Sequence, residues 1–276
     1  MIRDILVNLT EGVEKDAACD FAASMALRFH AHLTGVSVSY EIDVPPFYMG
    51  ALPTDFIEAQ FRENEEAAKK AAARFRQKIA ALNVPHEVQT LTASLGVAAQ
   101  QFLEMSRLYD LTVVSQPNPD KPGPEEVIAE NVLMESGRAV LVVPYEQTEP
   151  FKGERILLAW DGGRAAARAL AEAMPLLHQA SAIDVLRVGG ETEENEAAIE
   201  ALGRHLSRHE LKVQMHTIAL ESGQSVSGVI MEQARMLGSD LVVMGGYGHS
   251  RLREMVLGGV TREIFTSMSV PVLMAH

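Results

Sequence analysis

The chain repeats itself, and this constrains its fold more than any other feature. Ile5-Leu6-Val7-Asn8-Leu9, followed by Thr10-Glu11-Gly12, returns as Ile156-Leu157-Leu158-Ala159-Trp160, followed by Asp161-Gly162-Gly163. Behind each comes an Ala-rich helical stretch, Ala17 to Ala31 and Ala165 to Gln179. A second β-like run follows, Thr34 to Val38 and Ile183 to Val188. Later, Tyr109-Asp110-Leu111-Thr112-Val113-Val114 matches Ser239-Asp240-Leu241-Val242-Val243-Met244, and Ala139-Val140-Leu141-Val142 matches Pro271-Val272-Leu273-Met274. One unit is therefore built twice. The halves are offset by 151 residues at the first strand (5 to 156) and by 130 at the later one (110 to 240). The N-terminal half thus holds about 20 extra residues, assigned to a loop across the Pro-containing stretch Tyr40 to Phe56.

Each half alternates short apolar runs with longer helical patterns. Phe61, Ala68, Ala72, Phe75, Ile79 and Leu82 are spaced as one face of a helix. Continuous apolar runs such as Leu241 to Met244 suit parallel strands covered on both faces. The alternation implies two tandem, doubly wound parallel-sheet domains of α/β class, with right-handed crossovers. The boundary falls in the polar segment Glu146 to Gly153, which contains Pro150. This gives units of residues 1–146 and 154–276. Ala139 to Val143 and Val270 to Ala275 should be the closing strands.

The segment most specific for function follows the run ending at Met244. It holds Gly245, Gly248 and Gly258, spaced Gly-x2-Gly-x9-Gly, and leads into a helical stretch, Thr261 to Met268. Glycine lets backbone approach a ligand closely. Free N–H groups at a helix start favour an anion. Loops at the carboxyl ends of parallel strands are where such sheets bind ligands. A Gly-rich strand-to-helix turn is also a common purely structural device. His249 and Arg251 follow the second glycine and are either phosphate contacts or part of a solvated loop; for Arg253 and Glu254 the solvated pair is favoured.

The residues carry a resemblance. Ile156 to Gly162 resembles the opening strand and Asp-Gly turn of the universal stress protein family. Asp240 to Met274 resembles that family's Gly-x2-Gly-x9-Gly-(Ser/Thr) motif with its closing Pro-Val-Leu strand. The whole chain resembles two such domains in series, more strongly in the C-terminal half. The resemblance implies five-stranded parallel sheets with helices on both faces, packed with pseudo-twofold symmetry through adjacent closing strands. It also implies ATP or a related adenine nucleotide, with Mg2+, as ligand of the C-terminal half. On the matching positions, Asp161 lies near adenine and ribose. Gly245 and Gly248 line the ribose-phosphate path, and Gly258 and Gly259 offer N–H groups to the phosphates. Gly259 departs from the family pattern, because the Ser/Thr hydroxyl is missing there.

The N-terminal half has lost this motif. Thr10 stands where Asp161 stands, and Gly123 and Gly137 do not take the spacing. Pro117, Pro119, Pro122 and Pro124 remove backbone donors, and Glu125 and Glu126 repel phosphate. This half reads as degenerate, with a structural or partner-binding role.

Composition excludes other classes. Net charge is −13. Residues 1–150 carry 12 Lys+Arg against 22 Asp+Glu, giving −10, and the remainder 12 against 15, giving −3. With no basic stripe, nucleic acid and anionic membrane surfaces are poor partners. No run of about 18 apolar residues exists to span a membrane, and the N-terminus enters a strand directly, without a signal-peptide pattern. The single cysteine, Cys19, reads as a small core residue and fits a cytoplasmic setting. His205 and His209 share a helix face, and His30 and His32 are two apart, but neither pair has an evident third metal ligand. Met231, Met236, Met244 and Met255 read as core fillers. The expectation is a regulatory cytoplasmic nucleotide-binding protein. A nucleotide-free scaffold or dimerisation protein and a slow nucleotide hydrolase are the alternatives. No catalytic residue is assigned.

Overall fold

The computed structural model describes residues 1–41, 54–121, 123–190, 193–247 and 259–276. In chain order the N-terminal half runs β1 (Asp4–Asn8), α1 (Ala17–Phe29), β2 (His32–Tyr40), α2 (Thr54–Ala81), β3 (His86–Ala93), α3 (Leu95–Ser106), β4 (Leu111–Ser115), α4 (Glu125–Glu135) and β5 (Val140–Val143). The C-terminal half runs β6 (Arg155–Ala159), α5 (Arg164–Leu177), β7 (Ala182–Val188), α6 (Glu193–Arg208), β8 (Val213–Ile218), α7 (Val226–Leu237), β9 (Leu241–Gly245), α8 (Val260–Ser267) and β10 (Val272–Ala275).

All ten strands form one sheet, ordered β3-β2-β1-β4-β5-β10-β9-β6-β7-β8. Within each half every pairing is parallel; the seam between β5 and β10 is antiparallel, with Leu141 opposite Leu273. A pseudo-twofold axis passes through that pair. The closing strands are thus adjacent, as the resemblance implied. Pairing them satisfies N–H and C=O groups that would otherwise line two open edges.

Helices cover both faces. One core cluster joins the sheet to α1, α2, α5 and α6. The other joins it to α3, α4, α7 and α8. The central strands are buried on both sides, which is why they read as unbroken apolar runs. The outer strands β3 and β8 alternate polar and apolar residues and are only part-covered.

Three expectations need correction. The extra residues of the N-terminal half are not all loop. Helix α2 has 28 residues against 16 in α6, and Phe56 lies in its first turns, 53% exposed. Residues 42–53 of that stretch lie outside the described residues. On the α2 stripe, Ala68, Ala72, Phe75 and Ile79 are buried, but Phe61 and Leu82 at its ends are exposed, because the helix outruns the sheet. Met236 is on the surface at 65% exposure, whereas Met244 is buried. Met255 lies outside the described residues.

The connector is not a loose tether. The Phe151 ring packs on Phe21 and Phe29 of α1, with centroids 5.6 and 5.9 Å away. Its N–H donates to Ser24 Oγ at 2.8 Å. Cross-half bonds add to the seam. Gln116 Nε2 donates to the Phe265 carbonyl at 2.9 Å, and Tyr247 OH donates to Glu130 Oε1 at 2.6 Å.

Candidate functional site

At the carboxyl edge of the C-terminal half, β6, β7 and β9 end beside the starts of α7 and α8. They enclose a cleft of about 260 Å³. Its walls include Ala159, Leu186, Val188, Ile230 and Met244, and its rim includes Trp160, Asp161, Gly245, Tyr247 and Thr261. This is the crevice where open parallel sheets of this kind hold ligands.

The ladder explains what the cleft offers. Trp160 N–H donates to the Leu186 carbonyl at 2.8 Å. Residues two apart on a strand point their main-chain groups to the same side. Val188 therefore turns its N–H and C=O past the end of β6, beside the cleft it lines. An apolar slot bordered by one main-chain edge suits a flat heteroaromatic group.

Asp161 is exposed at the turn after β6, and its Oδ1 accepts the Gly163 N–H at 2.7 Å. This local bond holds the turn that starts α5. Its carboxylate is the one acid among the described residues lining the cleft. Gly245 ends β9 under the first turn of α5. A Cβ there would lie 2.6 Å from Ala166 N and 2.8 Å from the Ala165 carbonyl carbon. At Gly246 a Cβ would lie 2.7 Å from Leu133 Cδ2, across the seam. Packing alone therefore demands glycine at 245, which also lines the cleft, whereas at 246 the Leu133 side chain could turn aside. Gly259 is the N-cap of α8, with φ −76° and ψ 149° and no side-chain cap. A hydroxyl residue in the family's motif position would sit where helix N-caps are found. Gly248, His249, Arg251 and Gly258 lie outside the described residues, as do Ser250, Arg253 and Glu254.

Sequence reading passed over several members of the cleft. Tyr247 is one, with φ +50°; its N–H donates to Thr261 Oγ1 at 2.9 Å. Thr261 is buried, so its hydroxyl ties the end of β9 to the first turn of α8. Leu186, Val188 and Ile230 carry no signal separable from core. Trp160, the one tryptophan of the chain, was available as a cue directly before Asp161.

The remaining candidates sit apart. His205 and His209 meet edge to face with centroids 4.7 Å apart. His32 Nδ1 is 3.3 Å from Asp4 Oδ1, while His30 caps α1. Among the described residues no group of three His, Cys, Asp or Glu gathers as a metal would need. Cys19 is buried in α1, and burial pushes its thiol well above the usual range. Among the described residues no helix is long and apolar enough to cross a membrane.

The architecture is that of two α/β units in tandem. Residues 153–276 match the Universal stress protein family, and the chain is a universal-stress-protein fold in tandem. The whole chain resembles a universal stress protein from Archaeoglobus fulgidus, with TM-score 0.70 and 17% identity, covering 99% of this chain and 95% of that one. It also resembles a functionally unknown protein from Pseudomonas aeruginosa, with TM-score 0.62 and 17% identity, covering 99% and 92%. At such identities the likeness is one of fold. No curated protein matches the sequence.

Proposed function

We propose that the chain is a regulatory protein of the cytoplasm that binds ATP or a related adenine nucleotide in its C-terminal unit, residues 154–276. Residues 1–146 form a second unit that does not bind the nucleotide. The observation that supports this is the cleft, apolar inside and bordered by the Val188 main-chain edge. The base lies between Leu186, Val188, Ile230 and Met244. Asp161 accepts from the ribose hydroxyls. At about 260 Å³ the cleft suits a base rather than a whole nucleotide, so the phosphates run out toward the start of α8, where Gly259 and the helix dipole favour negative charge. Gly248, His249, Arg251 and Gly258 complete the phosphate side in this reading. Mg2+ would be held by the phosphates themselves, since no group of three His, Cys, Asp or Glu among the described residues could hold it.

Mass analysis of nucleotide released by gentle denaturation, followed by calorimetric titration with ATP, tests the proposal. The expected result is one adenine nucleotide per chain, weakened in Asp161→Ala without loss of fold. No released nucleotide and no ATP heat would refute it. A second reading, a nucleotide-free scaffold, is favoured by one observation: Gly245 is required by packing whether or not a ligand binds. The same titration decides between them.

A further inference from the structure

The N-terminal half repeats the geometry that frames the cleft, with one difference. Leu9 N–H donates to the Val36 carbonyl at 2.8 Å, as Trp160 N–H does to Leu186. Two residues on, Val38 turns its main-chain edge to the same side as Val188 does. In the C-terminal half that edge borders a cleft. Here it is taken: the Val38 N–H donates to Glu11 Oε1 at 2.8 Å. Glu11 stands where the other half has Gly162, which has no side chain to offer.

Two polar groups set these surroundings apart from ordinary core. Val36, Val38 and Val114 take the strand positions of Leu186, Val188 and Met244 and pack in the same cluster, with Val38 buried where Val188 is part-buried. Asn8, at the position of Ala159, is 3% exposed, yet its Nδ2 has no hydrogen-bond partner among the described residues. A buried amide donor left unpaired is costly, and a ligand acceptor would satisfy it. The Glu11 carboxylate is largely desolvated and near Asp16 and Glu125. A solvated loop would not place it there.

We propose that the N-terminal half retains the main-chain edge of a base site, which the Glu11 carboxylate occupies from within the chain. Oε1 takes the place that a ring-nitrogen acceptor of the base takes on a free main-chain N–H. The class of ligand is an uncharged purine nucleoside. Glu125 and Glu126 stand on the first turn of α4, where phosphates would otherwise lie, so nucleotides are rejected. This rests on the base-binding reading of the Val188 edge.

Titration of the full chain with adenosine, alongside the 15N–1H resonance of the Val38 amide, tests the proposal. Glu11→Ala should raise the stoichiometry by one site per chain and make the Val38 resonance respond to adenosine. Glu11→Gln should leave both as in wild type, because its amide oxygen still accepts from Val38. If Glu11→Ala does not fold, Glu11→Ser, too short to reach Val38, replaces it. A folded variant with no added site, an added site that leaves Val38 unmoved, or a Glu11→Gln chain that gains the site would each overturn the proposal. A wild-type chain that binds no adenosine would sink the C-terminal reading, while the gain of one site in the variant would still stand.

Discussion

Replacing Glu11 by Gln should remove a pH dependence of stability that the wild-type chain carries between pH 5 and 8. Burial first, and then the like charges of Asp16 and Glu125, push the Glu11 carboxyl up to about 7 from an ordinary 4.5. The Val38 N–H opposes this. Tyr40 faces the same cluster, and Arg74, beside Asp16, is the cation of the neighbourhood. A carboxyl raised on folding binds more protons in the folded state between its two values. Its contribution therefore favours folding at low pH and is lost as pH rises through about 7. Integrated between pH 5 and 8, one such group is worth roughly 2–3 kcal/mol. Gln keeps the acceptor for Val38 and carries no charge. Urea denaturation of both chains at pH 5 and pH 8 gives a double difference in which the shifts of Asp4, Asp16, Glu125 and Asp240 largely cancel. The variant should gain on wild type by roughly 2–3 kcal/mol at pH 8 relative to pH 5. A double difference within about 0.5 kcal/mol of zero would refute a desolvated Glu11.

Two further substitutions separate packing from binding in the glycine motif. Gly245→Ala drives a Cβ to 2.6 Å from the Ala166 backbone nitrogen, so thermal denaturation should show a loss of about 1–3 kcal/mol even without nucleotide; an unchanged midpoint would mean α5 is free to move. Gly259→Ser should raise stability by a few tenths of a kcal/mol, since φ −76° is open to any residue and Ser caps a helix start better than Gly. It should also tighten ATP binding about tenfold through an added donor to a charged oxygen, and a more stable chain with unimproved affinity would argue that α8 does not face the phosphates.

The parts of this fold that sequence revealed are those that physics repeats. The runs at Leu6, Leu157 and Val243 must be apolar on both faces, so they stand out. That the closing strands lie side by side followed from the family resemblance, while the register of Leu141 against Leu273 came only with the structure. Glu11 was not legible. It follows a strand in a polar turn, and only the coordinates show its carboxylate folded back onto Val38. The length of α2 was hidden for a related reason. Nothing in Thr54 to Gln60 separates a helix from a loop, since this end lies ahead of the stripe that begins at Phe61. The glycines misled in one respect. Spacing suggested that Gly245 leaves room for a ligand, whereas the first turn of α5 already fills the space a side chain would need.

The seam between β5 and β10 makes the two halves of one chain a pair that dilution cannot dissociate. Covalent linkage fixes the partner at an effective concentration independent of how much protein is present. The two halves therefore never need to be interchangeable. Because the seam is antiparallel, their carboxyl edges open on opposite rims of the sheet, so no ligand bridges them. Each rim was free to change without spoiling the other, and the contrast of Thr10 and Glu11 on one with Asp161 and Gly162 on the other records that freedom.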